Sequence, residues 1–166
     1  NITGLDSIGL PVFIAVRPNA RSLSTAQGKG LDEASAPGSA LMESIGSWHA
    51  ERIELPLRRE SANALRDAGV PIADPADLPL HQQGVLRLDV PLLWVEGWDL
   101  LSEEPCWVPF ECVDMNWVFP PGAILTFAPS SNGLASGNHV LEATVHALCE
   151  AIERDALSLF TLEDRA

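Results

Sequence analysis

The sequence predicts an α+β domain in which a mostly antiparallel sheet packs with two long helices. Three observations lead there. Runs rich in β-branched and aromatic residues recur with turn signals between them: LPVFIAV at 10–16, LLWVEGWDL at 92–100 and CWVPFECVDMN at 106–116. Two other stretches, 31–53 and 139–160, carry apolar residues at spacings of three and four, the period of a helix. Strands, helix, hairpin and helix follow one another without regular strand–helix alternation, which favours antiparallel pairing.

Along the chain, residues 10–16 read as a buried strand ended by Arg17 and Pro18, and residues 22–27 as a weaker second strand. The Gly28-Lys29-Gly30 that follows reads as a tight turn. In the first long helix, Leu41, Ile45, Trp48 and Arg52 share one face while Glu43 and Ser47 lie on another. Its well-formed part starts near Pro37, since a proline in the first turn lacks only an N–H that would have no partner. Residues 62–68 read as a short helix, and VPIADPADLPL as a surface connection. The polar turn SEEP joins the two strands of the hairpin. Trp94, Trp98, Trp107 and Trp117 lie in or beside it and read as core rather than as a binding platform. The polar, flexible SSNGLASGN precedes the last helix.

Composition limits what the chain can do. Its 166 residues, 46% of them apolar, suffice for one domain with a core. A net charge of −13 argues against nucleic acid or an anionic membrane surface as a direct partner. No apolar run reaches the roughly 18 residues of a membrane span. Cys106, Cys112 and Cys149 are odd in number and lack C-x-x-C spacing, which favours a reducing cytoplasm over a disulfide framework or a structural zinc. The chain starts without methionine and stops just past the last helix, so both ends read as cuts and 1–166 as a partial domain.

The last helix is the most informative segment. At about 100° per residue, with Glu142 at zero, Asn138 falls near −40°, Glu153 near +20°, Glu150 near +80° and Arg154 near +120°. Val140, Ala147, Ala151 and Leu148 fall on the other side, toward a core. An acidic stripe of this kind fits a solvated face. Yet Glu150 and Glu153 sit in the C-terminal half, where negative charge opposes the helix dipole, and the helix follows a loop with Gly and Asn suited to phosphate approach. Carboxylates at one-turn spacing beside an arginine suit Mg²⁺ and phosphate. Ser39 and Glu43 give a smaller echo on the earlier helix, with Glu51 and Arg52 further along. His139, His146 and Glu150 lack a second ligand cluster to complete a transition-metal site.

Taken together, QGKG (27–30), SALMESIGSWHAER (39–52), WVPFECVDM (107–115) and SNGLASGNHVLEATVHALCEAIERDA (131–156) resemble the YcaO superfamily. The specific part is Asn-x-x-x-Glu followed, eight residues on, by Glu-x-x-Glu-Arg. The wording around Gly28 and Trp48-His49-Ala50-Glu51 is most similar to the branch that works beside TfuA-like partner proteins. The resemblance spans nearly the whole chain but only the front part of the family's longer domain. It implies an ATP- and Mg²⁺-dependent enzyme that phosphorylates the oxygen of a peptide amide. The product is then an azoline (cyclodehydration) or a thioamide in a ribosomally made peptide or protein. It further implies that Glu43, Glu150 and Glu153 coordinate Mg²⁺, that Ser39, Asn138 and Glu142 line the ATP pocket, and that Arg154 contacts phosphate. One position departs: Gly46 stands where the family usually has a second glutamate one turn after Glu43. The lysine-bearing segment before Asn1 and the catalytic region after Ala166 of relatives are not in this sequence, so this stretch alone is expected to be inactive. A non-catalytic adaptor that binds a peptide or partner is the alternative, and pairing into a homodimer would cover apolar surface.

Overall fold

The computed structural model describes residues 1–4 and 7–163, and its chain falls into two compact units. One combines Asn1–Glu51 with the chain from Ser131 on; the other is Arg52–Ser130. Both are α/β mixtures with antiparallel sheets, as the sequence predicts. No helix among the described residues is long and apolar enough to cross a membrane.

In the first unit, β1 (Val12–Val16) pairs antiparallel with β2 (Thr25–Lys29), Phe13 opposite Gly28 and Ala15 opposite Ala26. Several expectations are corrected here. The first strand is not buried, because a two-stranded sheet covered by one helix leaves its other face wet: Ile14 and Val16 are exposed. The second strand runs to Lys29, so Gly28-Lys29-Gly30 is no tight turn. Gly28 instead lies under helix α1 (Ser35–Ala50), where a Cβ would land in the backbone of Ala36 and Ala40. Glycine is there to let the helix approach.

The third correction concerns which face α1 buries. Ala36, Ala40, Ser44 and Ser47 are its buried residues, while Leu41, Ile45 and Trp48 are exposed. Close approach to the strands selects small side chains, and the large apolar stripe turns away. The entry of α1 is held by Asp32, whose carboxylate accepts from the N–H groups of Ala34 (2.9 Å) and Ser35 (2.7 Å). Those bonds satisfy donors that have no partner within the helix. Helix α3 (Val140–Glu163) begins one residue later than predicted and belongs to the same unit. Val140, Leu148 and Ala151, expected in a core, are exposed.

In the second unit, β3 (Leu57–Ser61), β4 (Pro91–Asp99) and β5 (Glu104–Pro109) form an antiparallel sheet in the order β3-β4-β5. The hairpin is the predicted one, although its second strand ends at Pro109 in a 3-10 turn, Phe110–Cys112. Strand β3 was not predicted, since LRRES carries no apolar alternation. Its partners on β4 hold it. Ser61 ends β3 and caps α2 (Ala62–Asp67), accepting from Ala64 N at 3.2 Å. Ala62, Leu65 and Trp94 form the core, with Ile72, Leu92 and Trp107 packed against it. The indole N–H of Trp94 donates to the Glu60 carbonyl at 2.8 Å, so the largest core side chain leaves no polar atom unpaired. Trp98, read as core, is 60% exposed beside the turn that closes the hairpin. The proline-rich connection is partly structural: Pro75 is buried, and Ile72 bridges Trp107.

Candidate functional site

With its small-residue stripe pinned to the strands, α1 leaves Ser39, Met42 and Glu43 outside that contact. Ser39 and Glu43 are exposed there, one turn apart. At the start of α3, local bonds fix two more of the predicted residues. His139 Nδ1 accepts from Leu141 N at 3.1 Å, and Ala143 N donates to the His139 carbonyl, also at 3.1 Å. Glu142 reaches back, and its Oε2 accepts from the backbone N (2.8 Å) and the Nδ2 (3.2 Å) of Asn138. The pattern resembles a capping box with histidine at the cap, which explains a glutamate at the third helical position. Two turns on, Arg154 pairs with Glu150 at 2.8 Å; Glu150 is 20% exposed and Arg154 49%. A pair this wet stabilises the helix by only about 0.3–0.5 kcal/mol, so both groups remain available for other partners.

Two hollows are bordered by these residues. The larger, about 530 Å³, is lined by Glu43, His146, Cys149, Glu150, Glu153, Arg154 and Leu157. The smaller, about 230 Å³, is lined by Ser39, Met42, Glu43, Ser136, Gly137, Asn138, Glu142 and His146. Each of the seven residues singled out from the sequence therefore borders a hollow, and Glu43 of α1 borders the same one as Glu150 and Glu153 of α3. Sequence reasoning gave no role in the pocket to His146, Cys149 and Leu157. The helical wheel carries the signal: relative to Glu142 they fall near +40°, −20° and +60°, on the side of the acidic stripe. Met42, one residue from Glu43, had no such signal. Glu51 is also corrected. It lies on the buried side of α1, where it holds Arg17 and Ser22, and it borders neither hollow.

Among the described residues, no three His, Cys, Asp or Glu side chains gather closely enough to hold a metal by themselves. For Mg²⁺ this is the expected state, because that ion is usually held by one or two carboxylates together with phosphate oxygens and water. The donors fit such a group: carboxylates for a hard cation, a guanidinium for phosphate, and hydroxyl and amide groups for a sugar or base. The rim fits as well. A Cβ on Gly137 would come within 2.8 Å of Ala143 N, so this stretch of backbone can sit close to α3 only as glycine.

Residues 27–166 match the family model described as YcaO cyclodehydratase, ATP- and Mg²⁺-binding. An uncharacterized protein from the region 3′ of tfuA in Rhizobium leguminosarum bv. trifolii is 39% identical over 98% of the chain and 38% of its own length. An uncharacterized Mycobacterium tuberculosis protein is 37% identical over 95% of the chain and 36% of its own length. Among solved structures, YcaO from Methanopyrus kandleri bound with AMPPCP and Mg²⁺ superposes with a TM-score of 0.69 at 28% identity, covering 93% of this chain and 37% of that one. A heterocyclase in complex with substrate and cofactor shares the fold at a TM-score of 0.61 and 20% identity, covering 76% of this chain and 19% of that one. The chain thus spans well under half the length of the relatives it matches. By its sequence and fold, the chain belongs to the YcaO family.

Proposed function

We propose that this chain forms the ATP-facing part of an enzyme that activates peptide backbone amides. In this reading Glu43, Glu150 and Glu153 hold Mg²⁺, Ser39, Asn138 and Glu142 line the nucleotide pocket, and Arg154 meets phosphate. ATP with Mg²⁺, when bound, supplies the phosphoryl group that makes the amide oxygen a leaving group. The chain's own residues then position charge and neutralise it, which is most of what phosphoryl transfer asks of a protein. A Cys, Ser or Thr side chain attacking the amide carbon gives an azoline; sulfide gives a thioamide. The observation that carries this reading is the larger hollow, where carboxylates from two helices and an arginine border one space. The AMPPCP and Mg²⁺ in the Methanopyrus kandleri relative support it.

The rest of the domain lies, in this proposal, in further polypeptide, since relatives are more than twice as long. A TfuA-like protein is the proposed partner, on the strength of the relative from the tfuA 3′ region, and the cysteine pattern favours a cytoplasmic setting. One observation favours the adaptor instead. Gly46 stands in α1 where the family resemblance implies a second glutamate, so one implied metal ligand is absent. Isothermal titration of ATP with Mg²⁺ into the longer polypeptide separates the two. Binding that is lost in Glu150→Ala is the expected result. No binding by a folded protein would transfer the case to the adaptor.

A further inference from the structure

His146 lies on α3 one turn after Glu142 and one turn before Glu150, and with Glu43 it is common to the linings of both hollows. Its Nδ1 lies 3.4 Å from the Ser136 carbonyl oxygen. A carbonyl oxygen can only accept, so Nδ1 is the donor in this contact. Two residues further on, Asn138 is held by Glu142 through its backbone N–H and its side chain. Gly137 sits between these ties, pressed so close to Ala143 and Glu142 that a Cβ would not fit. Residues 136–138, which border the smaller hollow, are thus fastened to α3 at two points.

We propose that His146 is a positioning residue that fastens this rim to α3 and so makes the two hollows one two-part nucleotide pocket. The proposal rests on the nucleotide reading above, and it names the side chain on which the shape of that pocket depends. A rim containing glycine and small polar residues would otherwise have to be ordered by the ligand, which weakens binding. Glu142 alone cannot do this, because it reaches Asn138 and leaves Ser136 without its tie.

Three variants read the role in the longer polypeptide. His146→Leu and His146→Ala remove the donor. His146→Asn keeps an N–H donor close to where Nδ1 stands. Affinity for Mg²⁺–ATP should fall about tenfold in the first two and stay within about threefold in His146→Asn, with KM for ATP moving and kcat unchanged. Equal loss in all three, or no loss in any, overturns the proposal. Hydrogen exchange across residues 136–138 without nucleotide reads the order of this rim independently of ligand. Exchange should quicken in His146→Ala and not in His146→Asn; unchanged exchange in His146→Ala also overturns it. If the unaltered protein fails to bind nucleotide but exchange responds as expected, the tie stands and the nucleotide reading is what fails.

Discussion

At Glu51, whose side chain is fully shielded from solvent, two opposing effects set the affinity for a proton. Burial pushes the pKa up, but hydrogen bonds from the Arg17 guanidinium, the Ser22 hydroxyl and the backbone of Arg21 and Ser22 outweigh it and hold the carboxyl near 2. The distances are 2.8 and 3.1 Å to Arg17 and 2.6 Å to the Ser22 hydroxyl. The folded value lies below the ordinary 4.5, so the stability linked to this proton is complete above pH 4.5 and drains away as pH falls toward 2. Its size is on the order of 3 kcal/mol. Denaturant midpoints measured across that window should fall steeply in the unaltered chain and flatten in Glu51→Gln, which keeps the acceptor oxygen but has no proton to gain. In the sequence Glu51 read as one more acid along a helix. Its partners lie 29 and 34 residues away, and no local pattern announces them.

Among the elements, α1 shows why apolar periodicity identifies a helix without fixing its inner face. Leu41, Ile45 and Trp48 mark the helical period, yet the face that packs is Ala36, Ala40, Ser44 and Ser47, chosen by the space above Gly28. The hairpin β4–β5 and α3 were legible because their signals are local: β-branched and aromatic residues about a polar turn, and a cap followed by sustained 3.6-residue spacing. Strand β3 was not, because its pairing with β4 supplies what LRRES lacks. Of the candidate site, the wheel of α3 gave Glu142, Glu150, Glu153 and Arg154 a common side, whereas the rim at 136–138 depends on bonds that only the folded chain reveals. Gly46 belongs at this scale as well. A Cβ there would meet open space, so packing does not require glycine. Gly46→Ala should stabilise the chain by about 1 kcal/mol, seen as a melting temperature about 2–4 °C higher. No gain would mean that the position is constrained in a way the backbone does not show.

For the molecule as a whole, the unusual feature is how much of α3 is wet. Leu141 is 67% exposed, Ile152 68% and Phe160 67%, on a helix that also carries polar site residues. Relatives of more than twice this length have further chain with which to cover such a helix. Left with 166 residues, the chain is expected to cover it with a second copy, and light scattering at high concentration should give the mass of a dimer. A monomer under those conditions would count against self-association. The interleaving of the two units carries a different consequence, one of timing during translation. Residues 52–130 form one uninterrupted stretch, while the unit that holds the hollows needs residues from both sides of it. At about 5–20 residues per second, α1 leaves the ribosome on the order of ten seconds before α3 has been made. Throughout that interval Glu43 waits for the residues of α3 that border the larger hollow with it, so that hollow is the last part of the unit to take shape.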